Sequence, residues 1–152
     1  MGSKAAIVAR IREELTLIVS RILGGLGSQM LCYAAGFSLA RLRGVPFVMD
    51  LRSVGLRKDR PYLLDRLCIG AETATRQQIA DAKSSQIAAY DPSKPFDASF
   101  FDLPSSCYLD GERFSYKYHA GYEDQLKREF SLRKPIHGEV FDVGIHIRRG
   151  TS

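Results

Sequence analysis

Two short segments of this sequence combine residue types that bind phosphate groups. The first is a glycine-rich loop, which consists of Gly24, Gly25, Gly27, Ser28 and Gln29. Glycine lets the backbone approach a ligand closely, and the free N–H groups at a helix N-terminus favour an anion. The loop therefore predicts an anion site if it joins a strand to a helix. The alternative is that the glycines only turn the chain.

The second segment lies near the end of the sequence, where an apolar run leads basic residues into a turn. It consists of His146, Arg148, Arg149 and Gly150. Guanidinium groups bind phosphate oxygens bidentately and stay charged, so two adjacent arginines suit a diphosphate leaving group. The alternative is a strand end that meets solvent and forms salt bridges. A single histidine such as His146 is more often packed in a core than catalytic.

Neither of the standard nucleotide-binding loops is complete in this sequence. Gly25 and Gly27 fit the Gly-x-Gly-x-x-Gly fingerprint of dinucleotide-binding proteins, but Met30 stands at its third glycine position. The Gly-Lys-Ser or Gly-Lys-Thr of a Walker loop is absent. Asp50 ends the second predicted strand, where an acid can hold a ribose hydroxyl, so an NAD(P)-dependent oxidoreductase remains an alternative.

Metal-binding patterns are also missing from the sequence. It contains no Asp-x-Asp, no His-Glu-x-x-His and no Cys-x-x-Cys, and its three cysteines are far apart. We therefore expect reduced thiols, no metal and no bound cofactor. If a nucleotide diphosphate binds, arginines and backbone N–H groups must balance its charge.

The elements that would position these residues form a β-α-β pattern. The apolar run at residues 17–23 predicts a buried strand, and helical spacing follows from Ser28, a potential helix cap, to Gly44. Residues 45–49 predict a second strand that ends at Asp50. This order predicts an α/β fold with a Rossmann-like parallel sheet.

Further along, the sequence predicts a helix at 73–83, an irregular stretch at 84–106, a strand end at 108–111, a helix at 116–130 and a strand at 140–147. We divide the chain into an N-terminal extension at 1–14 and an α/β domain at 15–134. Residues 135–152 would then contribute the first strand and the arginine motif of a second domain.

Charge and hydropathy limit the partners. A net charge of +5 weakly favours an anionic partner, but the basic residues occur only in pairs and no nucleic-acid-binding motif accompanies them. We therefore expect no nucleic acid partner. The N-terminus carries no secretion signal, and no apolar run approaches the ~20 residues that span a membrane. These features favour a cytoplasmic location.

Four blocks in this sequence resemble the α-1,2-fucosyltransferases of glycosyltransferase family 11. Residues 24–30 are similar to the family's Gly-Gly-Leu-Gly-Asn-Gln-Met, with Ser28 in place of Asn, and a Tyr-Ala pair follows at 33–34. Residues 62–69 and 108–130 resemble two later family segments. Residues 146–150 match the family's His-x-Arg-Arg-Gly, although Thr151 stands where the family has Asp.

The resemblance implies the N-terminal half of a two-domain, GT-B-like enzyme that is longer than this chain. Such an enzyme is inverting and metal-independent, and it transfers fucose from GDP-fucose to a hydroxyl of a galactoside-terminated glycan. Peripheral membrane association through a lipid-linked acceptor is compatible with it. The two phosphate-binding segments would hold the donor, and no general base is assigned. An incomplete copy would be inactive alone, so a catalytically dead fragment or binding module is a further alternative.

The paired arginines lead to a first prediction. In an active fucosyltransferase that contains this motif together with its second domain, Arg148→Ala or Arg149→Ala should reduce transfer by at least ~100-fold, because each removes a stabiliser of the leaving diphosphate. Lysine replacements should restore little activity, since a point charge does not reproduce the guanidinium fork. Steady-state rates of fucose transfer measure both effects, and wild-type rates in both alanine variants would contradict the assigned role.

Overall fold

A computed structural model describes residues 3–8, 16–56, 58–134 and 138 of the chain. The strands are β1 (Ile18–Arg21), β2 (Phe47–Asp50), β3 (Glu72–Thr73), β4 (Ile87–Ala89) and β5 (Cys107–Asp110). The helices are α1 (Leu26–Arg43), α2 (Arg76–Ser85) and α3 (Glu123–Glu129). Short 3-10 helices lie at Leu64–Arg66, Ala98–Asp102 and Tyr116–Tyr118.

The five strands form one sheet in the order β3-β2-β1-β5-β4, and every pair in it is parallel. The predicted α/β fold with a parallel sheet is therefore confirmed, and the sheet is consistent with a Rossmann-like fold. The classic order of such a sheet begins 3-2-1-4. Here β5 takes the place beside β1, and β4 forms the edge.

Alternation along each strand sends side chains to two different layers. Ile18 and Ser20 of β1 face α1, and the Ser20 hydroxyl donates a hydrogen bond to the carbonyl of Cys32 at 2.8 Å. Val19 faces the opposite layer, where it packs in one cluster with Ile79 and Ala82 of α2. The sheet is thus covered on both faces, as parallel sheets require.

Helix α1 is buried on nearly all sides. One side rests on the sheet, and the other is covered by an outer layer that contributes Leu64, Leu67 and, from α3, Leu126 to the same core cluster. A helix that is apolar all round is typical of the interior of a protein. The sequence of α1 therefore reflects a central helix between a sheet and a second helical layer.

Glycine makes the close approach of α1 to the sheet possible. A Cβ atom on Gly36 would lie 2.8 Å from Cζ of Phe47 and 2.9 Å from Cβ of Ser20, which is closer than real Cβ atoms pack. By contrast, a Cβ atom on Gly27, at the start of the same helix, would meet nothing within 4 Å.

The sequence predicted the C-terminal end of α1 correctly, but not its N-terminal end. Gly44 ends the helix in the left-handed conformation, with φ +65°, and this prediction is confirmed. The prediction that Ser28 caps the start is wrong, because the helix begins at Leu26 and Gly25 is its extended N-cap residue. Ser28 lies inside the first turn, where its side chain packs beside Gly24.

Two later predictions also differ from the structure. The stretch at 84–106 contains the edge strand β4, which its small side chains did not indicate. The single helix predicted at 116–130 is a 3-10 helix at Tyr116–Tyr118 and the separate helix α3. Gly121 lies between them with φ +87°, a conformation that interrupts an α-helix.

The helix predicted at 73–83 is confirmed as α2, which begins later because Thr75 caps it. The Thr75 hydroxyl accepts a hydrogen bond from the Gln78 N–H, and the Gln78 side chain accepts one from the Thr75 N–H. The strand predicted at 140–147 and the proposed second domain lie outside the described residues. In the part of the chain that the structure describes, no helix has the length and apolar character to cross a membrane.

The two glycines of α1 give a matched test of this packing. We expect Gly36→Ala to lower the free energy of unfolding by about 1–3 kcal/mol, because the added methyl group overpacks the contact with β1 and β2. Gly27→Ala should leave stability unchanged or raise it by up to about 1 kcal/mol, because the helix gains propensity without a clash. Urea denaturation of both variants measures the difference, and equal stabilities would contradict the close approach of α1.

Candidate functional site

The glycine-rich loop lies where a parallel α/β sheet usually binds its ligand. It follows the carboxyl end of β1, which is the central strand. From β1 the chain crosses to β2 on one side, while the other neighbour, β5, comes from a distant part of the sequence. The segments after β1 and β2 leave a crevice between them at this edge of the sheet. Parallel α/β sheets bind their ligands in such crevices outside the carboxyl ends of the strands.

The start of α1 presents backbone N–H groups at this edge of the sheet, beside the crevice. Gly24 adopts φ +77°, and Gly25 is extended, with φ −79° and ψ −178°. Among the described residues no side chain caps the helix, and its first turn contains no acidic residue. The free N–H groups and the positive end of the helix dipole thus remain available to an anion.

The buried side chain of Gln29 anchors this loop through hydrogen bonds to backbone groups. Its side chain is completely buried, and its Nε2 donates hydrogen bonds to the carbonyls of Gly24, at 3.0 Å, and Pro61, at 2.8 Å. Its Oε1 accepts a hydrogen bond from the N–H of Leu63 at 3.0 Å. Gln29 therefore positions the backbone of the loop and does not present its side chain to the crevice.

A row of charged side chains crosses the carboxyl edge of the sheet. The strand register places Arg21 beside Asp50 and, through the pairing of β1 with β5, beside Asp110. Arg21 forms a salt bridge with Asp110 at 3.0 Å, and its Nε donates to the Ser53 hydroxyl at 2.7 Å. The hydrogen bond to Asp110 raises the pKa of the Arg21 guanidinium. Arg21 is partly exposed, and Asp110 and Ser53 bind two of the nitrogens of its guanidinium.

A second arginine reaches the loop from the segment after β2. Nη1 of Arg60 lies 3.8 Å from the position that a Cβ atom on Gly25 would occupy. Arg60 and Arg21 share a cleft of about 570 Å³ with the glycine-rich loop. The other residues that line this cleft are Leu23, Gly24, Ser53, Val54 and Leu56. The cleft thus combines two guanidinium groups with a flexible glycine backbone and some apolar surface.

Asp50 is fully engaged by protein groups. Arg52 donates to both of its carboxylate oxygens, at 2.9 and 2.8 Å, and the Tyr108 hydroxyl donates at 2.7 Å. Burial acts to raise the pKa of Asp50, but the hydrogen bonds from Arg52 and Tyr108 outweigh it and lower that pKa to about 2. With the residue only 2% exposed, Asp50 has no free oxygen for a ribose hydroxyl. This geometry disfavours the NAD(P) alternative.

Three of the sequence blocks meet around the start of α1. Gln29 of the first block bonds to Leu63 of the second. The Tyr33 hydroxyl donates to Glu129 of the third block at 2.5 Å, and the rings of Tyr33 and Phe130 stack edge to face with centroids 5.6 Å apart. Burial and the contact with Glu129 raise the pKa of Tyr33. These segments thus support the loop as a unit, although they are distant in sequence.

Of the residues predicted to bind the donor, the structure brings together those of the glycine-rich loop. His146, Arg148, Arg149 and Gly150 lie outside the described residues, so their role stays a prediction. Sequence reasoning missed Arg21, Arg60 and Glu112, which surround the loop. For Arg21 a signal existed, because a charged residue that ends a buried strand at a sheet's carboxyl edge is unusual.

Similarity searches add no family to this picture: no protein-family model, no curated protein and no solved structure matches the chain. The resemblance to fucosyltransferases depends on the sequence blocks alone. Within residues 3–8, 16–56, 58–134 and 138, no group of three or more His, Cys, Asp or Glu side chains is arranged to hold a metal ion.

The engagement of Asp50 predicts a pH-dependent stability. Its folded pKa of about 2 lies below the value of about 3.9 in an unfolded chain, so its contribution is present above about pH 4 and is lost as the pH falls through about 2. We expect this contribution to be about 2–3 kcal/mol, since one pKa unit corresponds to about 1.4 kcal/mol. Asp50→Asn should therefore be less stable than the wild type at pH 7, and the difference should shrink between about pH 4 and pH 2.

Urea unfolding at several pH values measures this difference. The exposed Asp65, changed to Asn, is a matched control for loss of an aspartate. A stability difference between the wild type and Asp50→Asn that does not change with pH would contradict the proposed state of Asp50.

Proposed function

We propose that this chain forms the N-terminal part of an inverting fucosyltransferase that moves fucose from GDP-fucose to a hydroxyl of a galactoside-terminated glycan. In this proposal the donor diphosphate lies at the carboxyl edge of the sheet, in a GT-B-like enzyme whose second domain begins near residue 135. Arg148 and Arg149 would complete the phosphate site from that side. The chain alone is inactive in transfer, because the guanosine contacts come from the second domain.

The observation that carries the proposal is the cleft that Arg21 and Arg60 share with Gly24, which directly precedes Gly25, the N-cap residue of α1. Two guanidinium groups and the nearby N–H groups of a long helix favour a negative charge, and each guanidinium also lies near an aspartate, Arg21 near Asp110 and Arg60 near Asp59. They converge on the glycine-rich loop that the sequence resemblance singled out. A nucleotide diphosphate is the ligand chemistry that matches this combination.

Such a cleft would assist the reaction by stabilising the negative charge of the leaving group, GDP. The acceptor oxygen forms a bond to the anomeric carbon of fucose while the bond from that carbon to the β-phosphate oxygen breaks. The electron pair of the broken bond stays on the departing GDP, whose negative charge therefore grows in the transition state, and the proton of the acceptor hydroxyl passes to water or to a base of the acceptor site. Cations and N–H groups that are already in place stabilise this charge without reorganisation.

The charges around Arg21 explain how the cleft can stay ordered without a ligand. Asp110 and Ser53 bind Nη1 and Nε of its guanidinium and so fix its orientation. Preorganised groups lose little entropy when a ligand binds. Arg60 is more exposed, and its only short-range charge contact among the described residues is to Asp59, at 3.8 Å. We therefore expect Arg60 to move toward a bound phosphate.

Ligand titration of the 152-residue chain tests the proposal. We expect GDP and GDP-fucose to shift amide NMR signals of the glycine-rich loop, whereas guanosine, which lacks the phosphates, should not at the same concentration. Arg60→Ala should weaken GDP binding about three- to tenfold, because one phosphate contact is lost. Arg41→Ala is the matched control, since this exposed arginine lies in the last turn of α1, away from the cleft. Binding of NAD⁺ in preference to GDP, or equal effects of the two variants, would contradict the proposal.

A further inference from the structure

A carboxylate that does not itself line the cleft of Arg21 and Arg60 lies against the glycine-rich loop. Glu112 follows β5 directly after Gly111, which turns the chain with φ +109°. Its Oε1 lies only 2.8 Å from the position that a Cβ atom on Gly24 would occupy. The Glu112 side chain therefore lies against the glycine-rich loop from the β5 side. Arg60 approaches the loop from the segment after β2, and Arg21 lies on β1 between the two, bonded to Ser53 and Asp110.

Glu112 differs from the other acidic residues at this edge of the sheet. Asp50 is bound by Arg52 and Tyr108, and Asp110 is bound by Arg21. Within the part of the chain that the structure describes, the Glu112 carboxylate has neither an ion pair nor a hydrogen bond. It is partly exposed, so water and ligands can reach it.

Because Glu112 is negatively charged and the two arginines are positively charged, the two sides of the glycine-rich loop prefer different ligand groups. A carboxylate only accepts hydrogen bonds, so it binds hydroxyl groups and repels phosphate oxygens. The two arginines have the opposite preference. A ligand that fits both sides has a phosphate at one end and hydroxyl groups at the other, with the join between them over Gly24.

We propose that Glu112 binds the sugar hydroxyls of a sugar nucleotide and so selects it over the free nucleotide. This inference rests on the proposed function, since it assumes that a nucleotide diphosphate occupies the cleft. In this arrangement Arg21 and Arg60 hold the diphosphate, and Glu112 receives hydrogen bonds from the hexose. Repulsion between Glu112 and the phosphates keeps the ligand from binding in the reverse direction.

The proposal predicts that removal of Glu112 changes the preference for GDP-fucose over GDP and does not weaken the binding of phosphate. The readout is the ratio of the dissociation constant for GDP-fucose to that for GDP, measured on the 152-residue chain by NMR titration. Glu112→Ala should raise this ratio about tenfold, because a hydrogen bond to a charged acceptor is lost only for the sugar nucleotide. Affinity for GDP should stay the same or increase, since a negative charge near the phosphates is removed.

Two further variants test whether the effect depends on the charge of Glu112 and on its position in the structure. Glu112→Gln keeps the size of the side chain and one acceptor oxygen, so its ratio should lie between those of the wild type and Glu112→Ala. Glu72→Ala removes an exposed glutamate from the edge strand β3 and should leave the ratio unchanged. Retained amide spectra show that each variant is folded.

The outcomes distinguish this inference from the proposed function. If the wild type binds GDP and GDP-fucose but Glu112→Ala leaves their ratio unchanged, the role of Glu112 is overturned and the proposed function stands. If the wild type binds neither ligand, the proposed function fails, and the assignment of Glu112 fails with it.

Discussion

The site depends on a single buried amide. The side chain of Gln29 bonds to Gly24 on one side and to Pro61 and Leu63 on the other, so it joins the glycine-rich loop to the segment that follows β2. Arg60 directly precedes Pro61, and its place in the cleft is therefore tied to the same amide. A buried polar group that loses its partner costs about 1–3 kcal/mol, which keeps this arrangement in one state. The loop needs such an anchor because its glycines supply no packing of their own.

Much of the fold could be predicted from local pattern. The β-α-β unit follows from an apolar run, a glycine-rich turn and helical spacing, and Gly44 marks the end of α1. Local pattern could not reveal β4, because Ile87, Ala88 and Ala89 form a short edge strand with little apolar surface to bury. It also could not give the strand order, since the place of β5 beside β1 is decided by packing between distant segments.

The candidate site likewise has a part that local sequence could predict and a part that only contacts between distant segments create. The glycine-rich loop was visible because its residues are consecutive and their chemistry is local. Arg21 and Asp110 are 89 residues apart along the chain, and only the strand register brings them together. Glu112 approaches Gly24 in the same way, through the pairing of β1 and β5. Asp50 shows the reverse case, because its position suggested a ligand contact while Arg52 and Tyr108 already satisfy it.

The strand order also has a consequence for biosynthesis. A ribosome releases β1 and β2 early, and the two can pair with α1 packed on them. The other edge of β1 stays open, however, until Cys107–Asp110 has been made. Contacts of such long sequence separation slow folding and leave an unpaired, apolar strand edge exposed in the meantime. The nascent domain therefore holds an incomplete sheet for most of its synthesis, and its central strand is the part that most needs protection by a chaperone.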